Sequence, residues 1–180
     1  MKTSIYLMVI FFLVFAGCAK QPKEYPNVSI AQVIQDLKWD YNYAKVKNVL
    51  ETNYDLDFSG EIKLTQGKHK RNLKAFNFEG GKISGLKSQS WTITFDKDTL
   101  IYVLITISSE TPKQCTKGVQ GLREAINNLP YEKFPRINDE WILHQNGKAI
   151  GRIQLTKSLF DKGMYVSFSS NKFINKYSYM

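Results

Sequence analysis

Residues 91–107 read WTITFDKDTLIYVLITI, and this stretch decides the fold class. In its first part Trp91, Ile93 and Phe95 alternate with polar residues, which predicts a half-buried strand because successive side chains on a strand point to opposite faces. A DKD turn follows, and residues 99–107 form a nearly continuous apolar run. Such a run predicts a central strand that is buried on both faces.

The same period of two recurs on either side of this hairpin. Alternating apolar residues predict strands at residues 58–64 and 71–78, and a last strand at residues 164–169. The Asn-Gly pair at residues 146–147 predicts a tight hairpin between two more strands. These hairpin-length connections favour antiparallel pairing.

Two amphipathic helices are predicted. Residues 29–32 read SIAQ, a capping box, and the helix that they begin is expected to end near Thr52, either as one bent helix or as two short ones. The second helix is stopped by Pro130 and is marked by apolar residues at helical spacing, Cys115, Val119, Leu122, Ile126 and Leu129.

The remaining segments are predicted to be irregular. Residues 131–138 contain Pro135 and are interpreted as a linker, and residues 171–180 as a polar and aromatic tail that frays. The sequence therefore predicts an α+β fold, a mostly antiparallel sheet with two main helices packed on one face. A tandem of two helix-plus-meander units is the alternative, although no self-similarity between residues supports it.

The first 18 residues have the pattern of an export signal. Lys2 precedes an apolar segment at residues 5–15, which is too short for a membrane span of about 20 residues. The segment ends in Phe15-Ala16-Gly17-Cys18, which resembles the lipobox of bacterial lipoproteins, with phenylalanine where the family usually has leucine. The mature domain resembles no family that we recognise from its sequence.

The resemblance implies that residues 1–17 are a cleaved signal peptide and that Cys18 carries diacylglycerol and an N-acyl chain. Residues 18–27 are then a short tether, and residues 28–180 a single domain. Ala19 is not the aspartate that commonly retains lipoproteins in the inner membrane. The resemblance thus implies the outer membrane, facing the periplasm, if the envelope is Gram-negative. Ordinary secretion with cleavage after Ala19 is the alternative.

Removal of residues 1–17 takes Lys2, the only charge among them, so 163 residues with a formal net charge of +8 remain from 180 residues with +9. This length suits one domain with its own core. The charge predicts attraction to lipid headgroups, an acidic polymer or an acidic protein. Export argues against nucleic acid as a partner. Cys115 is the only cysteine besides Cys18, so no internal disulfide is expected.

A basic cluster is the candidate contact with an anionic surface. It surrounds a predicted hairpin tip within seven residues and consists of Lys68, His69, Lys70, Arg71 and Lys74. The alternative is a solvated sheet edge, where lysines oppose aggregation.

Catalytic and metal-binding patterns are weak. His69 and His144 are 75 positions apart, so neither a metal nor another cofactor is expected. The acidic segments at residues 55–57 and 96–98 are interpreted as turns rather than calcium loops. Cys115 lies in the apolar register of its helix, which favours a buried thiol over a nucleophile or an intermolecular disulfide.

The sequence therefore predicts a membrane-anchored envelope lipoprotein that serves as a non-enzymatic binding or structural module. Its expected partners are the membrane, through the lipid, and an envelope protein or anionic polymer. One alternative is a cell-envelope hydrolase whose site is scattered in sequence, for example Glu61 with His69. The other is a surface-exposed factor that contacts a host or a competitor.

Overall fold

The computed structural model describes residues 23–63, 73–109, 111–136, 139–158 and 163–177, and within these it has ten strands and four helices. The strands are β1 (Asn27–Val28), β2 (Asp57–Ile62), β3 (Leu73–Glu79), β4 (Lys82–Ile83), β5 (Leu86–Asp96), β6 (Thr99–Ser108), β7 (Glu132–Arg136), β8 (Glu140–Gln145), β9 (Lys148–Lys157) and β10 (Gly163–Ser170). The helices are α1 (Ile30–Asp36), α2 (Tyr43–Thr52), α3 (Pro112–Asn127) and α4 (Asn171–Tyr177). In this part of the chain, no helix combines the length and the apolar character that a membrane span requires.

Eight strands form a continuous antiparallel sheet in the order β2-β3-β5-β6-β10-β9-β8-β7, which curls into a half-barrel. The short strand β4 pairs with the start of β5, and β1 pairs in parallel with β4. The sheet combines two meanders that are consecutive in the chain. Strands β2–β6 follow α2 in sequence, and strands β7–β10 follow α3. Their last strands, β6 and β10, pair antiparallel at the centre. The topology is thus that of two helix-plus-meander units joined side by side.

The core lies on one face of the half-barrel. Ile93 of β5 is paired with Val103 of β6, and Val103 with Phe168 of β10, so the apolar side chains of three central strands form continuous rows. Helices α1, α2 and α3 contribute buried side chains such as Val33 and Leu122 to the same apolar cluster. Strand β6 is central, as the sequence predicts. Its second face is only half-buried, because Tyr102, Leu104 and Thr106 point away from the core.

The prediction of two main helices packed on one face of the sheet is wrong. The described part of the chain is mostly β, with 49% strand and 28% helix. In addition, α4 lies on the face opposite to the core. There Phe173 stacks on Tyr102 with ring centroids 4.8 Å apart, and Lys172 Nζ lies 3.1 Å from the buried carboxylate of Asp96. The segment predicted to fray thus contains a helix. It covers a largely polar sheet face, so its sequence lacks the apolar stripe of a core helix.

The predicted linker at residues 131–138 instead contains a strand. β7 pairs with β8 alone among the described strands, with Pro135 opposite Trp141. Proline has no backbone N–H to donate, which an edge strand tolerates because one of its sides has no partner. The second meander therefore has four strands rather than three.

The first helical region is divided into two short helices. Ser29 Oγ accepts from the Gln32 backbone N–H at 3.1 Å and caps α1, in agreement with the predicted capping position. Asn42 Oδ1 accepts from Lys45 N–H at 3.0 Å and caps α2. The loop between them is attached to the sheet, because Leu100 N–H donates to the Tyr41 carbonyl oxygen at 3.0 Å.

Candidate ligand-binding cleft

Most of the predicted contact residues lie outside the described part of the chain. This holds for the lipid-attachment residue Cys18 and for four members of the basic cluster, Lys68, His69, Lys70 and Arg71. The fifth member, Lys74, is exposed on β3, where it is paired with Phe95 of β5.

The candidate catalytic or metal-binding residues Cys115, His144 and Glu61 lie in the described part of the chain. Cys115 is a free thiol, fully buried in α3, and its Sγ donates to the Gly163 carbonyl oxygen at 3.4 Å. The half-buried His144 packs its ring against Phe134 of the edge strand β7, with centroids 4.6 Å apart. Glu61 is exposed on the opposite edge strand, β2. These residues do not converge on a common site.

The acidic segments at residues 55–57 and 96–98 also have structural partners. Asp55 and Asp57 both lie 3.1 Å from Lys23 Nζ. Asp98 Oδ1 accepts from the Tyr43 N–H at the start of α2, at 3.3 Å. Among the described residues, no three His, Cys, Asp or Glu side chains are close enough to hold a metal ion.

A different site opens between α1 and the β8–β9 hairpin. It is a cleft of about 530 Å³, which we call the Trp39 cleft. This volume is in the range of about 300–1,000 Å³ that is typical of small-molecule sites. The cleft is lined by α1 and the chain after it, by the residue before β7, and by the hairpin: Ile34, Gln35, Leu37, Lys38, Trp39, Tyr131, Gln145 and Ile150.

The indole of Trp39 packs closely against a glycine of β9 and against the apolar core. A Cβ atom at Gly151 of β9 would lie 3.2 Å from Trp39 Nε1 and 2.7 Å from the Ser169 carbonyl oxygen. Only a residue without a side chain leaves room for the indole so close to the strand. Leu37, which caps α1, is 3% exposed and anchors this segment in the core. Trp39 is therefore fixed at the cleft, although it follows the end of a short helix.

Trp39 also differs in exposure from the other two tryptophans. Trp91 is 0% exposed and Trp141 is 5% exposed, so both belong to the core. Trp39 is half-buried. It is the tryptophan whose ring a ligand can reach.

The chemistry of the lining suits binding better than catalysis. The rings of Trp39 and Tyr131 offer flat apolar surfaces, and the amides of Gln35 and Gln145 each have donors and an acceptor. Lys38 is the one ionised side chain among the described lining residues, which include no carboxylate, imidazole or thiol. An acid–base pair for hydrolysis requires such groups.

A second cleft, of about 350 Å³, is less suited to a ligand. It is lined by Lys23, Glu24, Tyr25, Gly81, Lys82 and Lys87. Lys23 is already engaged by Asp55 and Asp57, and Glu24 adds a negative charge beside the remaining lysines. The cleft therefore has no clear preference for an anion or a cation.

Sequence reasoning missed the Trp39 cleft because its lining comes from three separate parts of the chain. The only local signal is the aromatic segment at residues 39–43, and an aromatic residue there is equally consistent with ordinary core packing. Comparison of the chain with models of known families, with curated proteins and with solved structures found no match.

Proposed function

We propose that this chain is a lipid-anchored lipoprotein of a bacterial envelope, and that its folded part is a non-enzymatic module that binds a ligand in the Trp39 cleft. The sequence at residues 15–18 supports the anchor. One observation carries the binding function. A half-buried tryptophan packs against Gly151 in a cleft whose described lining consists of rings, amides, apolar side chains and a single charge.

The position of Lys23 supports a domain that lies close to the membrane. Its ammonium group lies 3.1 Å from both Asp55 and Asp57, so a residue five positions after Cys18 is already attached to the domain. Five extended residues span at most about 18 Å. If the envelope is Gram-negative, we propose the periplasmic side of the outer membrane. The basic cluster at residues 68–74 remains our proposed contact with anionic headgroups.

Lipid labelling of cells tests the anchor. Cells are fed an alkyne analogue of palmitate, and the wild-type protein is compared with Cys18→Ser. We expect the label on the wild-type protein only, and release or failed processing of the variant. Unchanged membrane association of Cys18→Ser would show that the lipoprotein assignment is wrong.

Photocrosslinking in the same cells tests the binding module. A photoreactive phenylalanine replaces Ile150, an apolar residue of the cleft lining, or, as the control, Lys97, an exposed lysine in the β5–β6 turn. We expect an adduct with an envelope component from position 150 and none from position 97. An absence of adducts at position 150, or the same adducts from both positions, would argue against ligand binding in the cleft.

A further inference from the structure

We infer that the Trp39 cleft binds a short segment of an acidic glycan, whose sugar rings carry carboxylate groups. The inference rests on the proposed function, because it names the ligand class of the same cleft. It depends on three features of the lining: the fixed indole, the two amides and the single cation.

The fixed indole matches the shape of a sugar ring. One face of a pyranose consists largely of C–H groups, which pack on a flat aromatic surface, and Trp39 and Tyr131 provide such surfaces. Because the indole already rests on Gly151, little side-chain freedom is lost when a ligand binds. The cleft is therefore preorganised for a flat, partly apolar ring.

The amides match the rim of the same ring. Neighbouring hydroxyl groups of a sugar each donate and accept, and the amides of Gln35 and Gln145 offer both functions. Since amides carry no net charge, they lose less hydration than carboxylates when a ligand covers them. They give a sugar hydroxyl directional partners without repelling an acidic substituent.

Lys38 supplies the preference for an acidic sugar. It is exposed, and no carboxylate is among the described residues that line the cleft. The two aspartates nearest in sequence do not alter this. Asp36 accepts from the Tyr54 hydroxyl at 3.2 Å, and neither Asp36 nor Asp40 lines the cleft. In the described lining, a sugar carboxylate thus meets one positive charge and no opposing one.

The surrounding sheet disfavours an extended peptide. A peptide that adds a strand needs an unpaired strand edge. The hairpin residues of the cleft, Gln145 and Ile150, belong to β8 and β9. The pairs of these strands with β7 and β10 extend to His144 and Gly151, so only the few residues at the hairpin tip have an edge to offer. The amides and Lys38 likewise disfavour a purely apolar acyl chain, which would leave them without partners.

Tryptophan fluorescence of the purified lipidated protein in detergent micelles tests the inference. The acidic probes are tetragalacturonate and a hyaluronan tetrasaccharide, and maltotetraose is the neutral probe. Because Trp91 and Trp141 are buried, changes in quenching by acrylamide report on Trp39. We expect at least one acidic probe to reduce the quenching saturably, with at least about tenfold higher affinity than the neutral probe, or about 1.4 kcal/mol.

Matched variants assign the effect to the cleft. Lys38→Gln should weaken binding of the acidic probe severalfold and leave the weaker neutral binding unchanged, whereas Lys97→Gln should change neither. Trp39→Phe, followed by calorimetry, should keep binding measurable but weaker. The near-ultraviolet circular dichroism of Trp91 and Trp141 reports whether each variant is folded.

Two results would overturn the inference. Equal affinity for acidic and neutral probes would exclude a preference for carboxylates. Absence of binding by every oligosaccharide would also overturn it, and the crosslinks then decide the proposed function. If position 150 still forms crosslinks in cells, the glycan is the wrong ligand and the binding module stands, with the adduct showing whether a peptide occupies the cleft. If position 150 forms none, the proposed function fails with the inference.

Discussion

Arg123 in α3 holds Asp139, the residue before β8, through two parallel hydrogen bonds. Arg123 Nε donates to Oδ1 at 2.8 Å, and Nη2 donates to Oδ2 at 2.7 Å. Asp139 has a φ of 54°, in the left-handed region that aspartate and asparagine tolerate better than most residues. Its carbonyl oxygen accepts from Leu155 N–H at 2.9 Å. The pair therefore fixes α3 against the second meander.

Asp139→Asn tests this pair, because asparagine keeps the size and the backbone tolerance but removes the charge. The Arg123 hydrogen bonds hold the pKa of Asp139 below its usual 3.8. Its contribution to stability is thus present above the unfolded-state pKa, about 3.9, and is lost as the pH falls through the lower folded pKa. Both side chains are partly exposed, so we expect a loss of at most about 1 kcal/mol at neutral pH. Urea denaturation at neutral and strongly acidic pH measures it.

The control for that prediction is Glu51→Gln. Glu51 forms a single contact with Lys47 at 3.6 Å on the surface of α2, so its replacement should change stability less. A loss in Asp139→Asn that is equally large at strongly acidic pH would show that shape, rather than charge, holds the two segments together.

Ser88→Ala should destabilise the protein, because it removes the hydrogen-bond acceptor of a buried tryptophan. Trp91 Nε1 donates to Ser88 Oγ at 2.8 Å, and that hydroxyl donates to the Gly80 carbonyl oxygen at 2.6 Å. Since Ser88 is 1% exposed and Trp91 is 0% exposed, alanine leaves a buried donor without a partner. We expect a loss of about 1–3 kcal/mol in the free energy of unfolding, measured in urea.

The matched control is Ser59→Ala on β2. Ser59 Oγ also donates a short hydrogen bond, to Glu79 Oε1 at 2.7 Å, but both groups are exposed and can exchange it for water. Its effect should be below about 0.5 kcal/mol. Similar losses in both variants would contradict the role that we assign to burial.

The sequence predicts the centre of this fold well and its margins poorly. The alternation of Trp91, Ile93 and Phe95 identifies β5, because one face of that strand lies on the core. The register of Cys115, Leu122 and Ile126 likewise identifies α3, whose buried face includes these residues. In both cases the spacing of apolar residues along the sequence indicates which side chains are buried.

No such period marks the elements that sequence reasoning misses. Helix α4 contacts a polar sheet face through Phe173 and Lys172, and β7 has Pro135 within an edge strand. The Trp39 cleft depends on Gly151, more than 100 residues from the indole that it accommodates. Such long-range juxtapositions leave no pattern within a window of sequence.

Tyr54→Phe should change how stability depends on alkaline pH. The Tyr54 hydroxyl donates to Asp36 Oδ2 at 3.2 Å, and burial, followed by the charge of Asp36, raises the pKa of Tyr54 well above its ordinary 10.0. The folded state thus disfavours the phenolate. The stability that this raised pKa contributes is fully present below the unfolded-state pKa, about 10, and declines as the pH rises above that value.

We therefore expect the stability of the wild-type protein to fall more steeply above about pH 10 than that of Tyr54→Phe. At neutral pH the variant should lose about 1 kcal/mol, the usual net contribution of a hydrogen bond. Urea denaturation at neutral pH and near pH 11 measures both effects. Tyr165→Phe is the control, because Tyr165 is 37% exposed. Identical alkaline slopes for the wild-type protein and Tyr54→Phe would show that Tyr54 ionises equally in both states.

Gly151→Ala should destabilise the protein and displace Trp39, whereas Gly121→Ala should not. At Gly151 the added Cβ would lie 2.7 Å from a backbone oxygen, which cannot move aside as the end of a flexible side chain can. We therefore expect a loss of about 1–3 kcal/mol in the free energy of unfolding. Gly121 is exposed within α3 and has nothing within 4 Å of its Cβ position. Alanine there should stabilise the helix by up to about 1 kcal/mol.

Two measurements separate these variants: urea denaturation, and acrylamide quenching of tryptophan fluorescence. Because the new methyl group would lie 3.2 Å from Trp39 Nε1, the indole has to shift from β9 by a few tenths of an ångström, and we expect Gly151→Ala to be quenched more strongly than the wild-type protein. Gly121→Ala should match the wild-type quenching. If Gly151→Ala is as stable as the wild-type protein and equally quenched, Trp39 does not rest on β9, and the preorganisation of the cleft has to be abandoned along with the argument for a fixed aromatic surface.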